Sequence, residues 1–138
     1  MASRKSLGVI AAMALAAAAG CQESDYVPVS GEVLYQGEPL AAGVIMFQPA
    51  NGPPARGTIV DGKFALENPA GEPGARIGPN KVRIASRAAP AGGEGEMALG
   101  RSLIPEHYGH FESSGLTADV KPEANEPFIF RLEDGTPL

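Results

Sequence analysis

Few side chains in this chain could do chemistry, and the most distinctive is a single thiol. Cys21 is the one cysteine in 138 residues. It therefore forms no intramolecular disulfide and belongs to no Cys-rich zinc or iron–sulfur site. His107 and His110, the only histidines, lie three apart with Glu106 and Tyr108 beside them. On a helical turn such a pair shares a face and could reach one ion. Pro105 and Gly109 work against a helix there and no third ligand is evident, so the expectation is a solvated loop with Tyr108 and Phe111 tucked against the domain. Ser113-Ser114 lacks the Gly-x-Ser-x-Gly elbow that exposes a nucleophilic serine. Glu94 and Glu96 sit in a stretch of Ala, Gly and Pro, where nothing would hold the fixed geometry that acid–base work requires. Asp119, Glu123, Glu133 and Asp134 are scattered over the last strands without the spacing of a calcium loop. The residues thus predict no catalytic, cofactor-binding or metal-binding set, and leave Cys21 as the one functional atom.

What surrounds Cys21 is an address. Arg4 and Lys5 precede an uncharged run from Leu7 to Ala19, which ends in Ala18-Ala19-Gly20-Cys21. A positive start and an apolar stretch closed by small residues make a secretory signal peptide, here residues 1–20. The run is short against the roughly twenty apolar residues that span a bilayer. Small residues leading directly into a cysteine resemble the lipobox of bacterial lipoproteins. That resemblance implies cleavage before Cys21 and attachment of diacylglycerol, with palmitate-type chains, to its sulfur. Each buried methylene contributes about 0.8 kcal/mol and one chain alone is marginal, so two or more chains anchor stably. Residues 21–28 would then form a tether reaching at most about 25 Å. The mature part is expected on the cell membrane or outer membrane, on its periplasmic or cell-surface side.

Charge limits the partners. The net charge of −5 includes Arg4 and Lys5, so loss of residues 1–20 leaves −7. No basic patch follows, which argues against a nucleic-acid partner.

Beyond the tether, 18 glycines and 13 prolines suit short strands joined by turns. Val27, Val29, Gly31, Val33 and Tyr35 alternate with more polar neighbours over 26–35, a period of two. Gln36-Gly37-Glu38-Pro39 is turn chemistry. Val44 to Phe47 is continuously apolar and reads as a strand buried on both faces. Asp61-Gly62 between Thr58-Ile59-Val60 and Lys63-Phe64-Ala65-Leu66 predicts a type I′ hairpin. Glu67 to Gly78 reads as loop, and Val82 and Ile84 point inward from a half-exposed strand. Residues 87–103, rich in Ala, Gly, Pro and Glu, are expected to form a flexible loop. Strands follow at Leu116–Val120 and at 128–132, the latter with Phe128, Phe130 and Leu132 on one face. The expected fold is all-β: one antiparallel sandwich of seven strands over 29–138.

Val29-Ser30-Gly31-Glu32-Val33, Gly37-Glu38-Pro39-Leu40-Ala41-Ala42-Gly43, Val44 to Pro49, Asp61-Gly62-Lys63-Phe64 and Gly78-Pro79-Asn80-Lys81-Val82-Arg83-Ile84 together resemble the carboxypeptidase regulatory-like, transthyretin-like β-sandwich, an Ig-like architecture. The segment Ile104-Pro105-Glu106-His107-Tyr108 and the stretch Ser113 to Val120 look like small lipoproteins of planctomycete-type bacteria. The resemblance implies a fold and a location rather than a reaction. Hydroxyisourate hydrolases share this type of fold but use histidines in their first and later strands and end in a Tyr-Arg-Gly-Ser type tail. This chain has no histidine before His107 and ends in Asp134-Gly135-Thr136-Pro137-Leu138. The expectation is a non-enzymatic envelope module that binds a protein partner. A carbohydrate- or small-ligand-binding surface module is the alternative, disfavoured by the scarcity of aromatics.

Overall fold

The structure, a computed structural model, describes residues 25–88, 100–123 and 125–134. The predicted signal peptide, Cys21, the start of the tether and the middle of the 87–103 loop, with Glu94 and Glu96, lie outside the described residues. What is described is all-β, and its sole helical piece is one 3-10 turn at Glu106–Gly109. Ten strands occur in chain order among the described residues: β1 Tyr26–Val27, β2 Ser30–Tyr35, β3 Glu38–Pro39, β4 Ala42–Pro49, β5 Ala55–Val60, β6 Lys63–Ala65, β7 Ala75–Arg76, β8 Gly78–Ala85, β9 Leu116–Val120 and β10 Phe128–Leu132.

Local chemistry accounts for several boundaries. Asp61 and Gly62 hold φ of 50° and 79°, the left-handed pair a type I′ turn requires, and Val60 faces Lys63 across the hairpin. Gln36 and Gly37, at 51° and 82°, do the same on a smaller scale and turn β2 back into β3. The alternating stretch 26–35 is divided in two. β1 pairs with β7, and β2 starts a new ladder after Pro28, which has no N–H to continue the first one. In β4 the burial is one-sided rather than complete: Ile45 and Phe47 are fully buried, while Val44 and Met46 are half-covered. The Glu67 to Gly78 loop contains β7 and a turn in which Asn68 Oδ1 accepts from the Ala70 and Glu72 amides.

The main sheet runs β10-β2-β6-β5-β4-β8-β9, with β3 flanking β2. Neighbours are antiparallel except at one pair, where β10 runs parallel to β2 in the register Phe130↔Val33. After β9 the chain crosses from one end of the sheet order to the other and enters beside β2 along its direction, so the all-antiparallel expectation is replaced at this edge. Four strand spacings separate β4 from β10, about 19 Å in a flat sheet. The Phe47 and Phe130 rings are nevertheless 5.9 Å apart at 88°. The sheet is therefore curled, and Phe47 also meets Phe64 and Phe128 at 6.3 and 5.8 Å. Edge-to-face packing at such distances adds to the apolar area removed from water. Val33, Ile59, Leu66, Val82, Ile84 and Leu132 fill the remaining interior.

The base of the 87–103 loop is tied. Ala88 N–H donates to the Arg101 carbonyl (2.9 Å), and Leu103 N–H donates to the Ser86 carbonyl (2.8 Å).

Candidate functional site

The histidine-bearing segment folds back onto β8. Ile104 is buried and anchors its start, and Tyr108 N–H closes the 3-10 turn on the Pro105 carbonyl at 3.2 Å. That turn swings the Tyr108 ring inward. Its hydroxyl donates to the Glu133 carbonyl (3.2 Å) and accepts from the Glu133 amide (3.1 Å), which ties the turn to the end of β10. Tyr108→Phe leaves both Glu133 backbone groups without that partner at a half-wet site. The expected loss is about 1 kcal/mol of unfolding free energy, read by denaturant titration.

The two histidines are put to different uses. His107 lies ring against ring on Tyr108, with centroids 4.0 Å apart. His110 is exposed, and its carbonyl accepts from the Ser113 and Ser114 amides. The serine hydroxyls are committed to backbone: Ser113 Oγ donates to the His107 carbonyl (2.8 Å), and buried Ser114 Oγ donates to the Val82 carbonyl while accepting from Leu116 N–H. Neither hydroxyl has a histidine side chain as hydrogen-bond partner. Among the described residues no three His, Cys, Asp or Glu side chains gather closely enough to hold a metal ion. Asp119 and Glu123 line a shallow groove with Lys121 and Glu126, whereas Glu133 and Asp134 follow the far end of β10.

Sequence reading missed Arg83, which alternation marks only as an outward position of β8. Its guanidinium lies 5.1 Å from the Phe111 ring centroid, a cation–π contact. Its Nη1 donates to the Gly109 carbonyl (3.4 Å), and its Nη2 lies 2.8 Å from Met46 Sδ. Beside it Lys81 and Glu112 form an ion pair at 3.3 Å, both largely exposed. Exposed pairs of this kind contribute between nothing and about 1 kcal/mol.

A concavity of about 700 Å³ is bordered by Lys81, Phe111 and Glu112 themselves, and two more flank the patch. One, of about 810 Å³, is open and lies between Met46 of β4, Arg56 and Thr58 of β5, and the 67–71 loop. The other is a cleft of about 270 Å³ lined by Arg83, Arg87, His110, Ser86, Ser102 and Glu106 among others. Its walls come from both sides of the 87–103 loop, so their meeting leaves no local trace in the sequence.

No protein-family model, curated protein or solved structure matches this chain. Fold and site together define an all-β domain whose histidine-bearing segment is laced to β8 and to the end of β10.

Proposed function

We propose that this protein is a lipid-anchored cell-envelope lipoprotein, carrying a transthyretin-like sandwich whose body is the seven strands of the order β10-β2-β6-β5-β4-β8-β9, and that this domain serves as a non-enzymatic structural or protein-interaction module. The observation that carries the reading is the run Ala18-Ala19-Gly20-Cys21 behind a basic start and an apolar stretch. β1 begins at Tyr26, five residues beyond Cys21, so an extended connection reaches at most about 18 Å and keeps the domain close to the lipid. Among the described residues no helix is long and apolar enough to cross a membrane. The curl of the sheet, which sets Phe47 against Phe64 and Phe130, supports a two-layer arrangement. The commitment of the Ser113 and Ser114 hydroxyls to backbone carbonyls supports a role without nucleophilic chemistry.

The test is Cys21→Ser. The wild-type chain is expected to partition with membranes and to show, by intact mass, an N-terminus at a diacylated Cys21. The variant should lose the lipid mass and leave the membrane fraction or accumulate uncut, because a single thioether holds the acyl chains. Mature protein that starts at Met1, or a variant that partitions as the wild type does, defeats the proposal.

A further inference from the structure

We infer that the cleft between the end of β8 and the Glu106–Gly109 turn binds a small oxyanion of the phosphate type. Arg83 and Arg87 enter it from β8 and its continuation, and His110 enters from the residue that follows the turn. The fold brings these nitrogen donors together across a gap of more than twenty residues in a chain of net charge −5.

Among the described residues no carboxylate is ion-paired with either arginine; the ion pairs are Arg76 with Asp25 and Lys81 with Glu112. Arg83 uses Nη1 and Nη2 on the Gly109 carbonyl and Met46 Sδ, while its Nε–H is buried with no acceptor. A buried charged donor left without an acceptor is costly, so Arg83 adds an under-satisfied positive charge to the wall of the cleft, while the exposed Arg87 and His110 supply the groups a ligand can touch. Arg87 donates once, from Nη1 to the Gly100 carbonyl at 3.2 Å, and its exposed guanidinium has further N–H groups to offer. The hydroxyls of Ser86 and Ser102 donate to the Ala42 and Ile104 carbonyls, so the donors available to a ligand are the nitrogens. Guanidinium forks match the paired oxygens of an oxyanion. At about 270 Å³ the cleft lies just below the size range of drug-sized pockets, which suits a compact anion. Glu106 lines the same cleft and opposes an anion, which gives the site a signature of sign.

The experiment is a thermal-shift titration of the full chain in detergent with inorganic phosphate, against chloride at matched ionic strength. Phosphate is expected to stabilise saturably where chloride does not. Removing one charge-assisted guanidinium contact with Arg87→Ala is expected to weaken the apparent affinity about tenfold. Glu106→Gln is expected to tighten binding several-fold, and Lys63→Ala, an exposed cation on β6, to leave it unchanged. Glycerol phosphate separates the sources of the group: tighter binding than inorganic phosphate assigns the oxyanion to a lipid headgroup or other ester, and weaker binding assigns it to the free ion. Phosphate that stabilises no better than chloride overturns the inference, as do Arg87→Ala and Lys63→Ala affecting it equally. These outcomes are independent of the state of Cys21.

Discussion

Phe47→Ala is expected to cost about 3–5 kcal/mol of unfolding free energy, the range for truncating a fully buried aromatic. Phe47 is fully buried on β4 and touches the rings of Phe64, Phe128 and Phe130, so its loss opens a cavity where the two wings of the curled sheet meet. The wings cannot close fully on that cavity, because β5 and β6 are fastened by the Asp61-Gly62 hairpin and β2 holds β10 in register. Domains of this size have about 5–15 kcal/mol in total, so the variant should be partly unfolded at physiological temperature. Urea titration followed by circular dichroism measures the change, with Phe47→Leu as the milder comparison at under half the loss. A midpoint displaced by less than the equivalent of about 1 kcal/mol would show that the rings do not converge on Phe47.

Gly31→Ala is the second large effect, and it is directional. A methyl at Gly31 would overlap the Phe128 carbonyl oxygen and sit 2.8 Å from Phe64 Cζ. The first neighbour is backbone of β10, paired with β2 in parallel register at Phe128↔Gly31, and cannot rotate away as a side chain can. Overpacking of a close-packed interior costs about 1–3 kcal/mol, and the upper end is expected here because backbone must move. The damage should be local: amide exchange at Phe128 to Leu132 should accelerate, while β4 and β8 keep their protection. Uniform acceleration, or none, would contradict the close approach of β2 and β10.

These two positions mark where sequence reading reached and where it stopped. Phe47 stands out in a continuously apolar run, so its burial was legible; its ring partners on β6 and β10 were not. Gly31 read as an inward position of an alternating strand, yet the need for a glycine arises from a strand nearly a hundred residues later. Likewise Tyr108 was expected against the domain, but its hold on Glu133 was not. Arg83 read as an outward residue, and its stacking on Phe111 depends on how residues 104–115 return over β8.

By itself the sequence determined the features whose physics is local. The proposed export address rests on composition alone: a basic start, an apolar run and small residues before Cys21. Asp61-Gly62 specifies a hairpin because both residues tolerate left-handed dihedrals, as the observed φ values of 50° and 79° show. Alternation specified which faces of β8 and β10 turn inward. Only the tertiary structure decided that β10 lies parallel to β2, that the sheet curls until Phe47 meets Phe130, and that Arg83, Arg87 and His110 share one cleft. Those contacts join residues distant in the chain, and their energy appears only once many strands have packed at the same time, so no short window of residue types carries them.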